Sequence, residues 1–150
     1  MKQLPDEFRE FLSILNEAGV KYLVVGGWAL GIHGYVRATG DIDIWIEIEE
    51  DNLDRLLKAF DLFSVPSGVS KSFFREEGNV FRMGASPLRI EIVTGISGVK
   101  FSDCFPNKTG IDLDGITVPF IGYNDFVTNK RSSGRLKDLA DLESLGEDLK

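Results

Sequence analysis

Cysteine and histidine are nearly absent from this chain, and both shortages exclude something. The single cysteine, Cys104, has no partner for an internal disulfide and fits a reducing compartment. The single histidine, His33, has no Cys or His companions with which to build a zinc site, so packing or hydrogen bonding is its expected role. No apolar run approaches the length needed to span a bilayer, and no membrane association is expected. The opening segment MKQLPDEFREFLSILNEAG is too acidic and too interrupted for a secretory signal, so a cytoplasmic protein is expected. Positive charge is also short: 17 Lys and Arg against 24 Asp and Glu give a net charge of −7. That argues against a broad surface for coating nucleic acid. The local cluster Lys130, Arg131, Arg135 and Lys137 still leaves room for a small or end-on polynucleotide substrate. Repeats and low-complexity stretches are missing. At 150 residues and 43% hydrophobic content the chain is sufficient for one core, and a single domain over 1–150 is expected.

What is present is concentrated in the stretch VVGGWALGIHGYVRATGDIDIWIEIE. Ile42, Ile44, Ile46 and Ile48 alternate with Asp41, Asp43, Trp45 and Glu47, which is strand patterning with an isoleucine face for the core. Two carboxylates at i and i+2 on one strand lie roughly 7 Å apart on the same face. Such a pair suits hard divalent cations, which bind phosphates through a few carboxylates. Upstream, Gly26-Gly27 closes an apolar run and opens a short helical one. Glycine backbone there lets a phosphate come close to a helix start. Together these features suggest metal-assisted chemistry on a nucleotide.

A third acid lies in PLRIEIVTG, where Leu88, Ile90 and Ile92 alternate with Arg89, Glu91 and Val93. A lone acid in an apolar strand is costly to bury unless it is paired or binds a metal. If this strand neighbours the aspartate strand, Glu91 completes a three-carboxylate cluster; otherwise it pairs with Arg89 or another base. Arg37 and Thr39 stand just before the aspartates, and the planar guanidinium of Arg37 suits it to clamp phosphate.

These residues resemble the nucleotidyltransferase superfamily with the polymerase-beta-type fold: Gly26-Gly27, then Arg37-x-Thr39-x-Asp41-Ile42-Asp43, then a later acidic strand. The chain looks most like small bacterial nucleotidyltransferase-like proteins, including the AbiEii-type toxins. Those carry a C-terminal K-x4-R-x-K-D motif, matched here by Lys130, Arg135, Lys137 and Asp138. Glu91 stands where many members have aspartate. The resemblance implies an α/β (α+β) fold with a mixed sheet flanked by helices. It implies transfer of a nucleotidyl group from an NTP, with Mg²⁺ (or Mn²⁺) on Asp41, Asp43 and Glu91. Gly26, Gly27, Arg37, Thr39, Lys130, Arg135 and Lys137 would then serve the nucleotide. The acceptor, whether tRNA, a protein or a small molecule, and an antitoxin partner are further implications. A nuclease using the same acids and an inactive nucleotide-binding or interaction module are the alternatives.

Helical spacing predicts a helix over residues 5–18, a second from Asp51 as its cap through Phe60, and two C-terminal helices near 123–131 and 135–146. Strands are expected over 20–25, 41–48, 72–83, 88–94 and 116–121, with a short helix over 27–34 and mostly loop over 95–115. Leu136, Leu139 and Ala140 form the expected buried stripe of the last helix, with Lys137 and Asp141 as a surface ion pair.

Overall fold

The structure, a computed structural model, describes residues 4–36, 40–65, 69–85 and 87–148. The chain begins with helix α1 (Asp6–Ala18), whose Phe8, Phe11, Leu12 and Leu15 recur at helical spacing and are all buried. Gly19, at φ 76°, ends it in the left-handed conformation that glycine adopts without strain. Strand β1 (Tyr22–Val25) is buried throughout and runs directly into the short helix α2 (Gly26–Ile32). Strand β2 (Ile42–Ile46) follows, then helix α3 (Glu50–Leu62) and the single-turn helix α4 (Lys71–Arg75). The hairpin of β3 (Val80–Ala85) and β4 (Leu88–Val93) leads to helix α5 (Phe101–Cys104). A second hairpin, β5 (Thr109–Leu113) and β6 (Ile116–Phe120), precedes helices α6 (Tyr123–Ser133) and α7 (Leu136–Ser144).

The strands form one mixed six-stranded sheet in the order β3-β4-β2-β1-β6-β5. β1 pairs antiparallel with β2, whereas β2 pairs parallel with β4, setting Ile42 beside Ile90, Asp43 beside Glu91 and Ile44 beside Ile92. Antiparallel β3 then sets Phe81 beside Ile92 and Arg82 beside Glu91. Because side chains alternate along strands, this register sorts the sheet into two faces. Ile42, Ile44, Ile90 and Ile92 are buried on the face where Phe81 meets Phe60 of α3, and Phe60 in turn stacks on Phe11 of α1. Asp43, Glu91 and Arg82 take the opposite face. Further along that face Trp45 is buried edge-on against Phe101 of α5, so the acids lie where the apolar cover stops.

Several expectations are corrected. Residues 71–75 are helical, and the strand starts at Val80: Phe74 turns into the cluster with Phe60 and Phe81, and Lys71 and Arg75 pair with Glu50 of α3. Glu49, not Asp51, is the N-cap of α3, and Asp51 falls in its first turn. The 95–115 region contains α5, a 3₁₀ turn over Phe105–Asn107, and β5. The β5–β6 hairpin turns at Asp114 and Gly115, both at positive φ, the Asp-Gly chemistry that tight hairpins favour. Strand β2 ends at Ile46, so Ile48 lies beyond it and is only half-buried. In α7 the buried set is Asp138, Asp141 and Leu142, while Leu136 is 87% exposed. That inversion of an apolar stripe is explained by Lys130, described below. His33 does pack, donating a 2.7 Å hydrogen bond through Nε2 to the Ile121 carbonyl and lying edge-on to Tyr123. No helix among the described residues is long and apolar enough to cross a membrane.

One device was not foreseen. Asn52, fully buried, accepts from the Lys21 N–H at 2.7 Å and donates to the Lys21 and Glu47 carbonyls. It ties together backbone groups at the ends of β1 and β2.

Candidate active site

The site starts at the junction of β1 and α2. Val25 pairs with Asp43, and the next residue, Gly26, adopts φ 69°. A Cβ at Gly26 would overlap the Asp43 carboxylate, so position 26 requires glycine for conformation and for space. The result is a bare backbone turn directly beneath an acid.

Asp43 and Glu91 are register partners on β2 and β4, side by side on the acid face of the sheet. Burial first, then the hydrogen bond and charge of Glu91 and the charge of Asp41, push the Asp43 carboxyl up to about 7, while Lys130 pulls it down. Glu91 is also gripped by Arg82, whose Nε donates to it at 2.6 Å. Asp41 immediately precedes β2, and its carboxylate meets Arg89 Nη2 at 3.3 Å. Asp43 and Glu91 thus stand side by side in register, while Asp41 pairs with Arg89. Among the described residues no group of three Asp, Glu, His or Cys side chains is assembled to hold a metal ion.

The donor chemistry nevertheless fits a hard divalent cation. Asp43 and Glu91 offer carboxylate oxygens on neighbouring strands, with the charge of Asp41 felt at Asp43. The arginines that engage Glu91 and Asp41 are 58% and 39% exposed, and such solvent-facing ion pairs exchange at small cost.

A cleft of about 780 Å³ opens over this pair. Gly26, Gly27, Asp43 and Glu91 line it on the sheet side, and Lys130, Arg135, Lys137 and Asp138 line it from α6, α7 and the corner between them. The predicted residues Gly26, Gly27, Asp43, Glu91, Lys130, Arg135 and Lys137 thus share one cavity. Asp41 stands outside its lining, and Arg37 and Thr39 lie outside the described residues.

The basic group is not uniform. Lys130 is buried, with Nζ 2.9 Å from Asp138 and 3.3 Å from Asp141. These pairs explain why α7 buries two aspartates, and why Asp141 does not form the expected surface pair with Lys137. Arg135 is 77% exposed and donates through Nε to Asp138 at 2.9 Å; Ser133 donates to the same oxygen. Burial raises the Asp138 pKa, but the hydrogen bonds from Ser133, Lys130 and Arg135 outweigh it and hold the carboxyl below its ordinary value. Lys137 is exposed, and no ion pair is recorded for it among the described residues. Sequence reasoning missed Arg82 as a cleft residue. Its signal is parity: once the strand starts at Val80, Arg82 alternates with Phe81 and Met83 and must take the acid face.

A mixed sheet with an acid pair beside a glycine turn, faced by a basic helical corner, defines the nucleotidyltransferase fold class. The chain belongs to the family described as nucleotidyltransferase of unknown function (DUF6036), whose model matches residues 2–146, and so to the nucleotidyltransferase enzymes. No curated protein matches it. Among solved structures it is similar to TM1012 of Thermotoga maritima, described as a nucleotidyltransferase, at 16% identity and TM-score 0.60 over 91% of this chain and 88% of that one. It is also similar to an antigenic nucleotidyltransferase-like protein of Paracoccidioides brasiliensis, at 19% identity and TM-score 0.55, covering 93% and 74% of the two chains. The lincosamide antibiotic adenylyltransferase LnuA, in its lincomycin-bound structure, matches at 12% identity and TM-score 0.56 over 97% and 98%. At these identities the likeness concerns the fold.

Proposed function

We propose that this single domain transfers a nucleotidyl group from an NTP to an acceptor and releases pyrophosphate. The observation that carries the reading is the cleft's division: two carboxylates in register and a bare glycine turn on the sheet wall, basic side chains on the helical wall. The backbone at Gly26 and Gly27 gives phosphate oxygens close approach, and Lys137 and Arg135 offset the triphosphate charge. Asp43 and Glu91, joined by Asp41, would hold Mg²⁺ or Mn²⁺, which when bound stabilises developing charge on the attacking and leaving oxygens. Glu91 lies on the open face of β4, where a carboxylate can take the acceptor's proton. Arg37 and Thr39, next to this acid strand in sequence, belong to the same proposal as phosphate ligands.

RNA, a protein hydroxyl and a small molecule are the acceptor classes, and the resemblance to AbiEii-type toxins supports pairing with an antitoxin in a cytoplasmic setting. The test is incubation with each α-labelled NTP, Mg²⁺ and cell extract. Label transferred to one extract component, with pyrophosphate released, is the expected result. NTP-independent cleavage of nucleic acid would make the protein a nuclease, and failure to bind any NTP would leave an interaction module.

A further inference from the structure

We propose that Asp138 is a positioning residue for the triphosphate: it holds Arg135 by Nε so that the outer guanidinium nitrogens face the nucleotide, and Lys130 is its buried counter-ion rather than a phosphate ligand. The proposal rests on the nucleotidyl-transfer reading above.

The geometry is specific. Helix α6 ends at Ser133, Gly134 reverses the chain at φ 65°, and Arg135 caps α7. Within this corner the two oxygens of Asp138, a residue 2% exposed, are divided. Oδ1 accepts from Lys130 at 2.9 Å, and Oδ2 accepts from Arg135 Nε at 2.9 Å and from the Ser133 hydroxyl. A guanidinium held through Nε keeps its two terminal nitrogens as a planar fork, the shape that matches phosphate. Among the described residues no acceptor is recorded for those terminal nitrogens. Arg135 lines the cleft and is 77% exposed, so its fork is fixed at the root and open at the tip.

Lys130 is built differently. It is 7% exposed, committed to Asp138 and Asp141, and lies over the Phe126 ring at 5.3 Å. Turning it onto a phosphate would take from Asp138 and Asp141 the buried cation they share and leave Asp138 with the exposed Arg135 as its recorded cation, which is unfavourable. Its charge instead lets Asp138 stay ionised while buried, and an ionised Asp138 is what grips Arg135.

The test uses the full chain and Mg²⁺ with inorganic triphosphate, the portion common to all NTPs, titrated by calorimetry. Asp138→Asn and Arg135→Ala should each weaken binding about tenfold, and the double variant should be no weaker than either alone, because the two act as one unit. Asp141→Asn removes the other Lys130 partner but leaves Arg135 held, and should change affinity less than about twofold. Melting curves establish that each variant is folded at the assay temperature. Should Asp138→Asn not fold, Asp138→Glu takes its place: it keeps the charge, moves the oxygens outward, and should show the same loss. Multiplying losses in the double variant, unchanged affinity in the folded Asp138 variant, or an equal loss in Asp141→Asn would overturn the proposal. Absence of triphosphate binding by the wild type would overturn the nucleotidyl-transfer reading as well, whereas wild-type binding with an unaffected Asp138 variant overturns this inference alone.

Discussion

Asp43 and Glu91 face one another across the parallel β2–β4 register and line the same cleft. Neither is placed there by stability, since like carboxylates on adjacent strands repel. The isoleucines on the other face of the same strands, Ile42, Ile44, Ile90 and Ile92, are what bury. Asp43→Asn keeps size and strand geometry while removing a charge from the pair. Nucleotide incorporation should fall by at least about a hundredfold, roughly 2.7 kcal/mol of barrier. The melting temperature should stay level or rise. Incorporation assays and thermal melts run side by side check both halves; unaltered activity would remove Asp43 from the chemistry.

Gly26→Ala is predicted to fail in two ways. Alanine at φ 69° costs on the order of 1 kcal/mol in backbone strain. Its methyl would also overlap the Asp43 carboxylate and displace it from Glu91. Activity should therefore drop even where the protein remains folded. Gly31, with nothing near its missing Cβ and no positive φ, is the control: Gly31→Ala should be neutral or slightly stabilising in a thermal melt.

The aspartate strand, the acidic partner strand and the glycine turn were legible because period-two patterning fixes which side chains share a face. Ile42, Asp43 and Ile44 declare their faces without any tertiary information. The C-terminal helix was not legible in that way. Leu136 and Ala140 look like a core stripe, but Lys130 is already buried beneath α7, so the helix turns Asp138 and Asp141 inward and leaves Leu136 in solvent. A buried charge on one element dictated the orientation of another, which no local periodicity encodes. Helix α4 was misread for a related reason: Phe73 and Phe74 have strand propensity, yet the aromatic cluster with Phe60 and Phe81 selects a helical turn. Arg82 faces the acids because it alternates with Phe81 and Met83 and is paired in register with Glu91, a pairing that no local pattern declares.

The pH dependence of stability should carry the mark of Asp138. Its carboxyl is held below the ordinary value, so the folded state binds this proton less readily than the unfolded state. The unfolded chain then holds more protons in the window between the two values, and stability rises with pH there. The contribution is present above the ordinary aspartate pKa of about 3.9 and is lost as pH falls through the depressed value. Denaturant melts of wild type between neutral pH and the acid limb should show this loss. Asp138→Asn should be less stable at neutral pH and show a shallower acid limb; an identical acid limb would mean that Asp138 titrates as an ordinary aspartate.

Lys130 and Lys137 should separate stability from binding. Lys130→Met keeps the aliphatic length but leaves Asp138 and Asp141 buried without their shared cation. Removing one partner from such a group costs about 3–5 kcal/mol, enough to lower the denaturation midpoint sharply. Adding Asp141→Asn removes one of the two buried carboxylates that Lys130 served and should recover part of the loss, because the positions are coupled. Lys137 lines the same cleft but is exposed, so Lys137→Ala should shift stability by no more than about 0.5 kcal/mol. Its effect belongs in the nucleotide: triphosphate affinity should fall, and fall less at high salt, where the exposed charge is screened. Urea titrations and calorimetric binding on the two single variants decide the matter. A Lys130→Met protein as stable as wild type would show that the buried network does not hold α6 to α7, and a Lys137→Ala protein with full affinity would remove that lysine from the triphosphate site.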